Sequence, residues 1–278
     1  MPSERAEKIA RVYSQRHGEA RRDVFGEKPY ANFGYWNREG MTAEEACDAL
    51  TDETARIIGI GPGDRVLEVG CGYGAGAVLY TSRYHPASVM GIDITDVRVQ
   101  GAREYVAKHG LSGTIEFRLG SATDVDSPAE SFSKVIAIEC AFHFETRRDF
   151  FREAARVLVP GGRMGLTDIV SRPGVTREDF LAHIHFPIGS EGGLDVPENV
   201  YDAATYAAQL RDAGFDEVRV DPITDRSLAA FARHLERVAR ASEGELGATR
   251  RRVADAFRDV VDSKVADYVL VSARRAVP

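Results

Sequence analysis

The feature that most constrains the fold of this chain is a glycine-rich run that directly follows a short apolar segment, Val66-Leu67-Glu68-Val69-Gly70-Cys71-Gly72-Tyr73-Gly74-Ala75-Gly76. The apolar segment predicts a buried β-strand. The glycines predict a turn whose backbone takes positive φ or passes close to a ligand, because glycine has no Cβ. A strand, a glycine turn and a helix in this order place a ligand at the carboxyl edge of a parallel sheet.

A second apolar segment, Gly91-Ile92-Asp93-Ile94, contains an acid at the expected end of its strand. Its separation from the glycine turn suits a carboxylate that accepts hydrogen bonds from ribose hydroxyls. The two segments together predict a cofactor that contains adenosine.

The spacing of the glycines distinguishes between two such cofactors. A dinucleotide-binding turn needs G-x-G-x-x-G, with backbone amides that hold a pyrophosphate, but Ala75 occupies the place of the third glycine. Glu68 precedes the first glycine, where an acid is unfavourable near a pyrophosphate but suits a ligand with a cationic amine and a sulfonium. A tight turn without a ligand remains an alternative.

The pattern E-x-G-x-G-x-G resembles the first motif of the class I methyltransferases that use S-adenosylmethionine (SAM). Residues 119–124 resemble the adenine-contacting segment of that family, although Ser121 stands where an acid is usual. Residues 132–139 resemble its fourth strand, and residues 155–163 resemble the helix and turn before its fifth. The chain is identified as a member of this family, in the branch of small-molecule enzymes that modify natural products.

The predicted fold is α/β, because strands and helices alternate from Asp64 onward as in a doubly wound parallel sheet. The resemblance implies a mostly parallel, seven-stranded, Rossmann-like sheet with an antiparallel closing strand over residues 265–273, an N-terminal helical cap and a lid or helical insertion. The predicted regions are a helical cap (1–63), a SAM-binding core (64–170), a substrate lid (171–205) and a C-terminal part of the core with a helical addition (206–278).

The pattern also predicts the individual elements. Thr42 and Glu45 form a capping-box pattern that opens a helix over about residues 43–58. The first five strands are expected near 65–69, 88–93, 113–118, 133–138 and 163–168. Helices are expected near 75–84, 96–109 and 147–158, and over 227–261 with a break at 244–247.

The cofactor-binding residues follow from the motifs and from the resemblance. Most lie directly after a predicted strand, and two aromatic residues come from a cluster in the cap that can fold over the sulfonium. The expected set is Glu68, Gly70, Gly72, Gly74, Asp93, Ile94, Ser121, Ala122, Thr123, Glu139, Tyr35 and Trp36.

Three residues are candidates for catalysis, and they follow strands four and five. His143 is the candidate base, because an imidazole accepts a proton near neutral pH. Asp168 is expected to orient His143 or to share its work. Glu139 is expected either to face the acceptor or to hold the cofactor loop. Packing is the alternative role for His143.

The acceptor is expected to contact the cap aromatics, the candidate base and the lid, which is rich in Gly, Pro, His and acids and is long enough for a binding loop. The expected substrate-binding residues are Phe33, Trp36, His143, His183, His185 and Phe186. Core packing is the alternative role for the cap rings. A metal site at His183 and His185 would need a third ligand such as Glu191 or Asp195, and no metal is predicted.

Composition excludes several other classes of protein. The net charge of −7 gives no basic face for a polyanion, so nucleic acid is not an expected partner, and no apolar run is long enough to span a membrane. The odd number of cysteines, without a Cys-x-x-Cys spacing, favours reduced thiols and a cytoplasmic enzyme. A homodimer or higher homo-oligomer is left open.

The sequence therefore predicts an enzyme that transfers a methyl group from SAM to a small organic acceptor. O-methylation in secondary metabolism is the main hypothesis. C-methylation of a prenyl or terpenoid chain through a carbocation is the first alternative, and N-methylation is the second. An NAD-dependent oxidoreductase is the alternative outside methyl transfer.

Overall fold

A seven-stranded β-sheet forms the centre of the computed structural model, which describes residues 7–11, 22–184 and 197–277. The strands are β1 (Arg65–Val69), β2 (Ser88–Asp93), β3 (Ile115–Leu119), β4 (Phe132–Ala137), β5 (Leu158–Ser171), β6 (Phe215–Pro222) and β7 (Ala266–Arg275). Their order across the sheet is β3-β2-β1-β4-β5-β7-β6. Only β7 runs antiparallel to its neighbours β5 and β6. The predicted sheet and its antiparallel closing strand are confirmed.

Helices cover both faces of the sheet. They are α1 (Arg22–Phe25), α2 (Ala43–Ile57), α3 (Ala75–Tyr84), α4 (Asp96–Lys108), α5 (Arg147–Val157), α6 (Arg177–His183), α7 (Ala203–Asp212), α8 (Leu228–Arg240) and α9 (Gly244–Ser263). Residues 7–11 are also helical. Short 3₁₀ turns occur at Ala141–His143, Pro197–Asn199 and Thr224–Arg226.

Side-chain caps set the start of several helices. At α2 the Glu45 amide donates to Thr42 Oγ1 at 3.2 Å and the Glu45 carboxylate accepts from the Thr42 amide at 2.8 Å, so the predicted capping box is present. The Thr146 side chain accepts from the Asp149 amide at the start of α5, and the Asp202 side chain accepts from the Thr205 amide at the start of α7. These caps satisfy amides that lack a partner within the helix.

The core has three main parts, which follow the alternation of side chains along the strands. Leu67 and Val135 point to one face, where α5 and α7 cover them. Val66 and Ile136 point to the other face, under α2, α3 and α4. The third part lies between the end of the sheet and the α8–α9 pair, where Tyr268 of β7 is fully buried. The three cysteines, Cys47, Cys71 and Cys140, are buried, and none of them forms a disulfide bond.

The structure corrects both ends of one predicted strand and the position of one predicted break. Strand β5 spans Leu158–Ser171 instead of the expected 163–168, and its last residues lie in the sheet because β7 pairs with it over residues 163–171. The helical addition breaks at residues 241–243, before the predicted site, and Gly244 opens α9. A Cβ on Gly247 would collide with the Ser242 carbonyl, so this glycine allows the first turn of α9 to lie against the preceding turn.

Candidate functional site

The glycine turn after β1 contains residues with different structural roles. A Cβ on Gly70 would lie 2.6 Å from the Cys140 Cβ, so this glycine allows the turn to approach the chain after β4. Gly74 has a similar role, because its Cβ would lie 2.7 Å from the Phe117 ring. Gly72 has φ +54°, and a Cβ there would meet nothing within 4 Å. Its open face provides room for a ligand beside the backbone.

Asp93 ties this turn to the end of β2. Its carboxylate accepts from the Gly72 amide at 3.0 Å and from the Thr95 amide at 2.9 Å. Burial raises the pKa of Asp93, and the charge of Arg98 opposes that shift. A carboxylate has about four acceptor positions, so two backbone donors leave capacity for the hydroxyls of a ribose.

Glu68 lies beneath the first turn of α3. It is buried, and its carboxylate occupies the space that a Cβ on Gly76 would need. Burial raises the pKa of Glu68 to about 8. Within the described residues, Oε2 of Glu68 is buried and has no hydrogen-bond partner. The contact with Gly76 explains a glycine that the cofactor motif alone does not require.

The segment after β3 lies beside Asp93, as expected for an adenine-contacting segment. The Gly120 amide donates to the Asp93 carbonyl at 3.0 Å. The hydroxyls of Ser121 and Thr123 are 3.1 Å apart. Ala122 is buried, whereas Ile94 after β2 is half-buried.

Glu139 follows β4 in a left-handed conformation with φ +55°. Its amide donates to Thr167 Oγ1 at 3.1 Å. Its Oε1 accepts from the Phe33 amide at 2.7 Å and from the Tyr268 hydroxyl at 2.8 Å. Although part of the residue remains accessible, burial of the carboxylate raises the pKa of Glu139 to about 8. A left-handed non-glycine residue is strained, and such residues are concentrated at functional sites.

His143 is the last residue of the 3₁₀ turn that follows Glu139. Its amide donates to the Cys140 carbonyl at 2.9 Å, and its ring centroid lies 4.4 Å from that of Phe142. The residue is half-buried. The turn therefore places the imidazole at the carboxyl end of β4, on the same edge of the sheet as Gly72 and Asp93.

Asp168 is fully buried and its carboxylate is fully used. Arg147 donates to both oxygens at 2.8 Å, the Tyr206 hydroxyl donates to Oδ2 at 2.9 Å and the Ile169 amide donates to Oδ1 at 2.8 Å. These four donors match the roughly four acceptor positions of a carboxylate. The arrangement favours a structural role for Asp168 over the expected orientation of His143.

The cap aromatics pack against the α8–α9 pair. The Phe33 ring stacks on Phe231 with centroids 5.2 Å apart. The Tyr35 hydroxyl accepts from Arg226 at 2.8 Å, and the Trp36 ring lies 5.2 Å from His234. The Phe33 amide, in addition, bonds to Glu139. The rings of Tyr35 and Trp36 have their partners in α8 or in the turn before it. Core packing, the alternative role, accounts for these ring contacts.

The lid residues are only partly described. His183 is exposed at the end of α6, and its ring contacts the Asp179 carbonyl at 2.8 Å. It is therefore helical, not part of an extended strand that would align it with His185. His185, Phe186, Glu191 and Asp195 lie outside the described residues.

Sequence reasoning missed three residues around this site. Arg147 neutralises Asp168, and Thr167 and Tyr268 bond to Glu139. An arginine in the first turn of an amphipathic helix has the pattern of an exposed residue. Tyr268 lies in a strand whose other residues are mostly apolar, so no nearby sequence pattern indicated that its hydroxyl contributes to the site.

Comparison with known proteins assigns the chain to a family. A family model described as a methyltransferase domain matches residues 66–162. The chain is 37% identical over 229 residues to erythromycin 3''-O-methyltransferase of Saccharopolyspora erythraea, which covers 81% of this chain and 72% of that protein. The chain belongs to the class I SAM-dependent methyltransferases. This methyltransferase falls in their natural-product branch, with SAM as its cofactor, which decides against the NAD-dependent oxidoreductase.

Two further similarities agree with this assignment. The methyltransferase is 30% identical over 246 residues to 27-O-demethylrifamycin SV methyltransferase of Amycolatopsis mediterranei, covering 87% of this chain and 88% of that protein. The crystal structure of geranyl diphosphate C-methyltransferase from Streptomyces coelicolor, solved with S-adenosyl-L-homocysteine, matches with a TM-score of 0.80 over 99% of each chain. At 16% identity, the latter similarity concerns the fold alone.

The described part of the methyltransferase includes no helix with the length and apolar character needed to cross a membrane.

Proposed function

We propose that this methyltransferase transfers the methyl group of SAM to a hydroxyl oxygen of a natural product, with His143 as the base. The similarity to erythromycin 3''-O-methyltransferase over 81% of the chain carries the proposal. The second relative, 27-O-demethylrifamycin SV methyltransferase, is also named for transfer to oxygen. Both names refer to natural products, and we infer an acceptor of that class.

The glycine turn and Asp93 fit SAM. The open face of Gly72 leaves space for the cofactor against the backbone, and the free acceptor positions of Asp93 suit the ribose hydroxyls. Ser121, Ala122, Thr123 and Ile94 lie on the adjoining strand ends and would border the adenine. When bound there, SAM supplies an electrophilic methyl carbon.

His143 would take the proton of the acceptor hydroxyl. An alcohol is a weak nucleophile until its proton begins to leave, and a positioned base contributes about 10²–10⁴-fold to such a step. The half-buried position after β4 lets the imidazole face the acceptor while Phe142 packs beside its ring. Asp168 is committed to Arg147, so we assign it to positioning β5 and α5.

The cofactor site is tested by calorimetric titration with SAM. Asp93→Ala is expected to weaken binding at least tenfold, because the ribose loses its acceptor and the Gly72 turn loses its anchor. Asp96→Asn is the control, since Asp96 is an exposed carboxylate near the start of α4. Equal affinities of Asp93→Ala and the wild type would overturn the assignment of this site.

The reaction is tested with SAM and a panel of macrolides, phenols, amines and prenyl diphosphates. Release of S-adenosylhomocysteine is followed by mass spectrometry, and the methylated atom is identified by NMR. A new O-methyl group is expected, and a C-methyl or N-methyl product would overturn the proposal. His143→Ala should lower kcat about 10²–10⁴-fold without changing SAM affinity, whereas the exposed His109→Ala should not.

A further inference from the structure

We propose that Tyr268 is a positioning residue that holds the cap segment, residues 30–37, closed against the cofactor site through its hydrogen bond to Glu139. The inference rests on the proposed function in one respect, the location of the SAM site at the glycine turn. It assigns a role in cofactor retention to a residue of the last strand, which none of the motifs includes.

One carboxylate oxygen joins three distant parts of the chain. Oε1 of Glu139 accepts from the Tyr268 hydroxyl at 2.8 Å and from the Phe33 amide at 2.7 Å. Phe33 belongs to the cap segment, Glu139 to the turn after β4 and Tyr268 to β7. The bond from Phe33 links the cap segment to the carboxyl edge of the sheet.

Tyr268 is the fixed member of this group. It is fully buried, and its amide donates to Thr224 Oγ1 at 3.0 Å. Its hydroxyl is a dependable donor, because burial raises the pKa of Tyr268 well above its ordinary value. Its backbone pairs with Ile169 of β5, and its carbonyl accepts from the Ile223 amide at 2.8 Å.

Glu139 needs external support to keep its conformation. A left-handed non-glycine residue is strained, and such strain persists when surrounding contacts over-determine it. Thr167 holds its amide at 3.1 Å, and Tyr268 holds its carboxylate. Without the Tyr268 hydroxyl, one of the two donors at Oε1 is lost and the carboxylate can turn away from Phe33.

Other bonds of the cap segment lead away from β4. Among the described residues, Cys47 Sγ donates to the Asn32 carbonyl at 3.3 Å, and the Tyr35 and Trp36 amides donate to the Ala46 and Arg226 carbonyls, both at 2.7 Å. These bonds lead to α2 and to the turn before α8. Loss of the Glu139 contact therefore removes the hydrogen bond that ties the segment to the chain after β4.

The chain has a natural reporter for this movement. Trp36 is the only tryptophan in the sequence and belongs to the cap segment. Its ring lies 5.2 Å from His234, and its Nε1 donates to the Phe33 carbonyl at 2.9 Å. Displacement of Phe33 would change the environment of the indole, so Trp36 fluorescence reports closure without any cofactor or substrate.

Tyr268→Phe tests the proposal, because it removes the hydroxyl and keeps the ring. In the cofactor-free protein we expect acrylamide to quench Trp36 at least twofold more efficiently than in the wild type. The KM for SAM should rise about tenfold at nearly unchanged kcat, since the substitution lowers only the fraction of enzyme molecules whose cap segment is closed and able to retain SAM.

Tyr206→Phe is a matched control. Tyr206 is also fully buried and donates to a carboxylate, at 2.9 Å to Asp168, but on the opposite face of the sheet. The Tyr206→Phe variant should have a lower free energy of unfolding than the wild type, with unchanged Trp36 quenching and an unchanged KM for SAM. Equal quenching and equal KM in Tyr268→Phe and Tyr206→Phe would overturn the proposal.

Substitutions of Glu139 give a second test should Tyr268→Phe fail to fold. Glu139→Gln keeps an oxygen that can accept from the Phe33 amide, so acrylamide should quench Trp36 as weakly as in the wild type. Glu139→Ala has no such oxygen and should show the more efficient quenching expected of Tyr268→Phe. Equal quenching in both variants contradicts the proposal. The readout uses cofactor-free protein, so its failure is distinguishable from failure of the SAM site, which Asp93→Ala tests separately.

Discussion

Arg147 and Asp168 form a buried bidentate ion pair, with both guanidinium–carboxylate hydrogen bonds at 2.8 Å. Their side chains are 1% and 0% exposed. Arg147 also donates to the carbonyls of Ile169 and Asn199. The pair connects α5, β5 and the turn before α7 on the face of the sheet opposite the cap.

Arg147→Ala should therefore be strongly destabilising, because it leaves the buried Asp168 carboxylate without its counter-charge. We expect a loss of about 3–5 kcal/mol in the free energy of unfolding, measured by urea denaturation. Arg148→Ala is the control, since the neighbouring Arg148 is exposed and should stay within about 0.5 kcal/mol of the wild type. A comparably small effect of Arg147→Ala would contradict the structural role of this pair.

Alanine substitution at two glycines separates backbone strain from ligand contact. Gly72 and Gly59 have φ of +54° and +65°, and a Cβ at either position would meet nothing within 4 Å. Both alanine variants should lose about 1–2 kcal/mol of stability from the left-handed backbone. Only Gly72→Ala should also weaken SAM binding, by at least tenfold in a calorimetric titration. Similar SAM affinities for the two variants would show that Gly72 does not face the cofactor.

Glu68 should make stability depend on pH. Its folded-state pKa of about 8 lies above the ordinary value of 4.5, so the folded protein binds the proton more tightly than the unfolded chain. The corresponding stability is fully present below about pH 4.5 and is lost as the pH rises through 8. Glu139 shifts in the same direction.

Glu68→Gln should remove this dependence, because the amide stays neutral. The melting temperature of the variant minus that of the wild type is expected to increase between pH 5.5 and pH 9. The exposed Glu104→Gln on α4 should give a nearly constant difference. A constant difference for Glu68→Gln as well would mean that the buried carboxyl does not titrate in this range.

Local patterns explain why much of the fold could be predicted. The strand of residues 65–69, the glycine turn and the capping box each depend on residues close together in the sequence, and each was found where expected. The full length of β5 was not predictable in this way, because its last residues form a strand by pairing with β7.

The residues of the candidate site also differ in whether local sequence patterns could predict their roles. Gly72 and Asp93 could be proposed from a motif, because the turn and the strand end are local features. The environment of Asp168 could not be predicted from a motif, since its partners Arg147 and Tyr206 lie on two helices distant in the sequence. A carboxylate at the end of a strand has the same local pattern whether it serves catalysis or an internal ion pair.

The position of β7 between β5 and β6 has a consequence for protein synthesis. A chain that has left the ribosome only as far as β6 can form the parallel strands β3-β2-β1-β4-β5, but β6 then has none of its observed strand pairing. Tyr268 is also missing at that stage, so Glu139 lacks one of its two donors. Translation through β7 must therefore precede both completion of the sheet and full assembly of the contacts around Glu139.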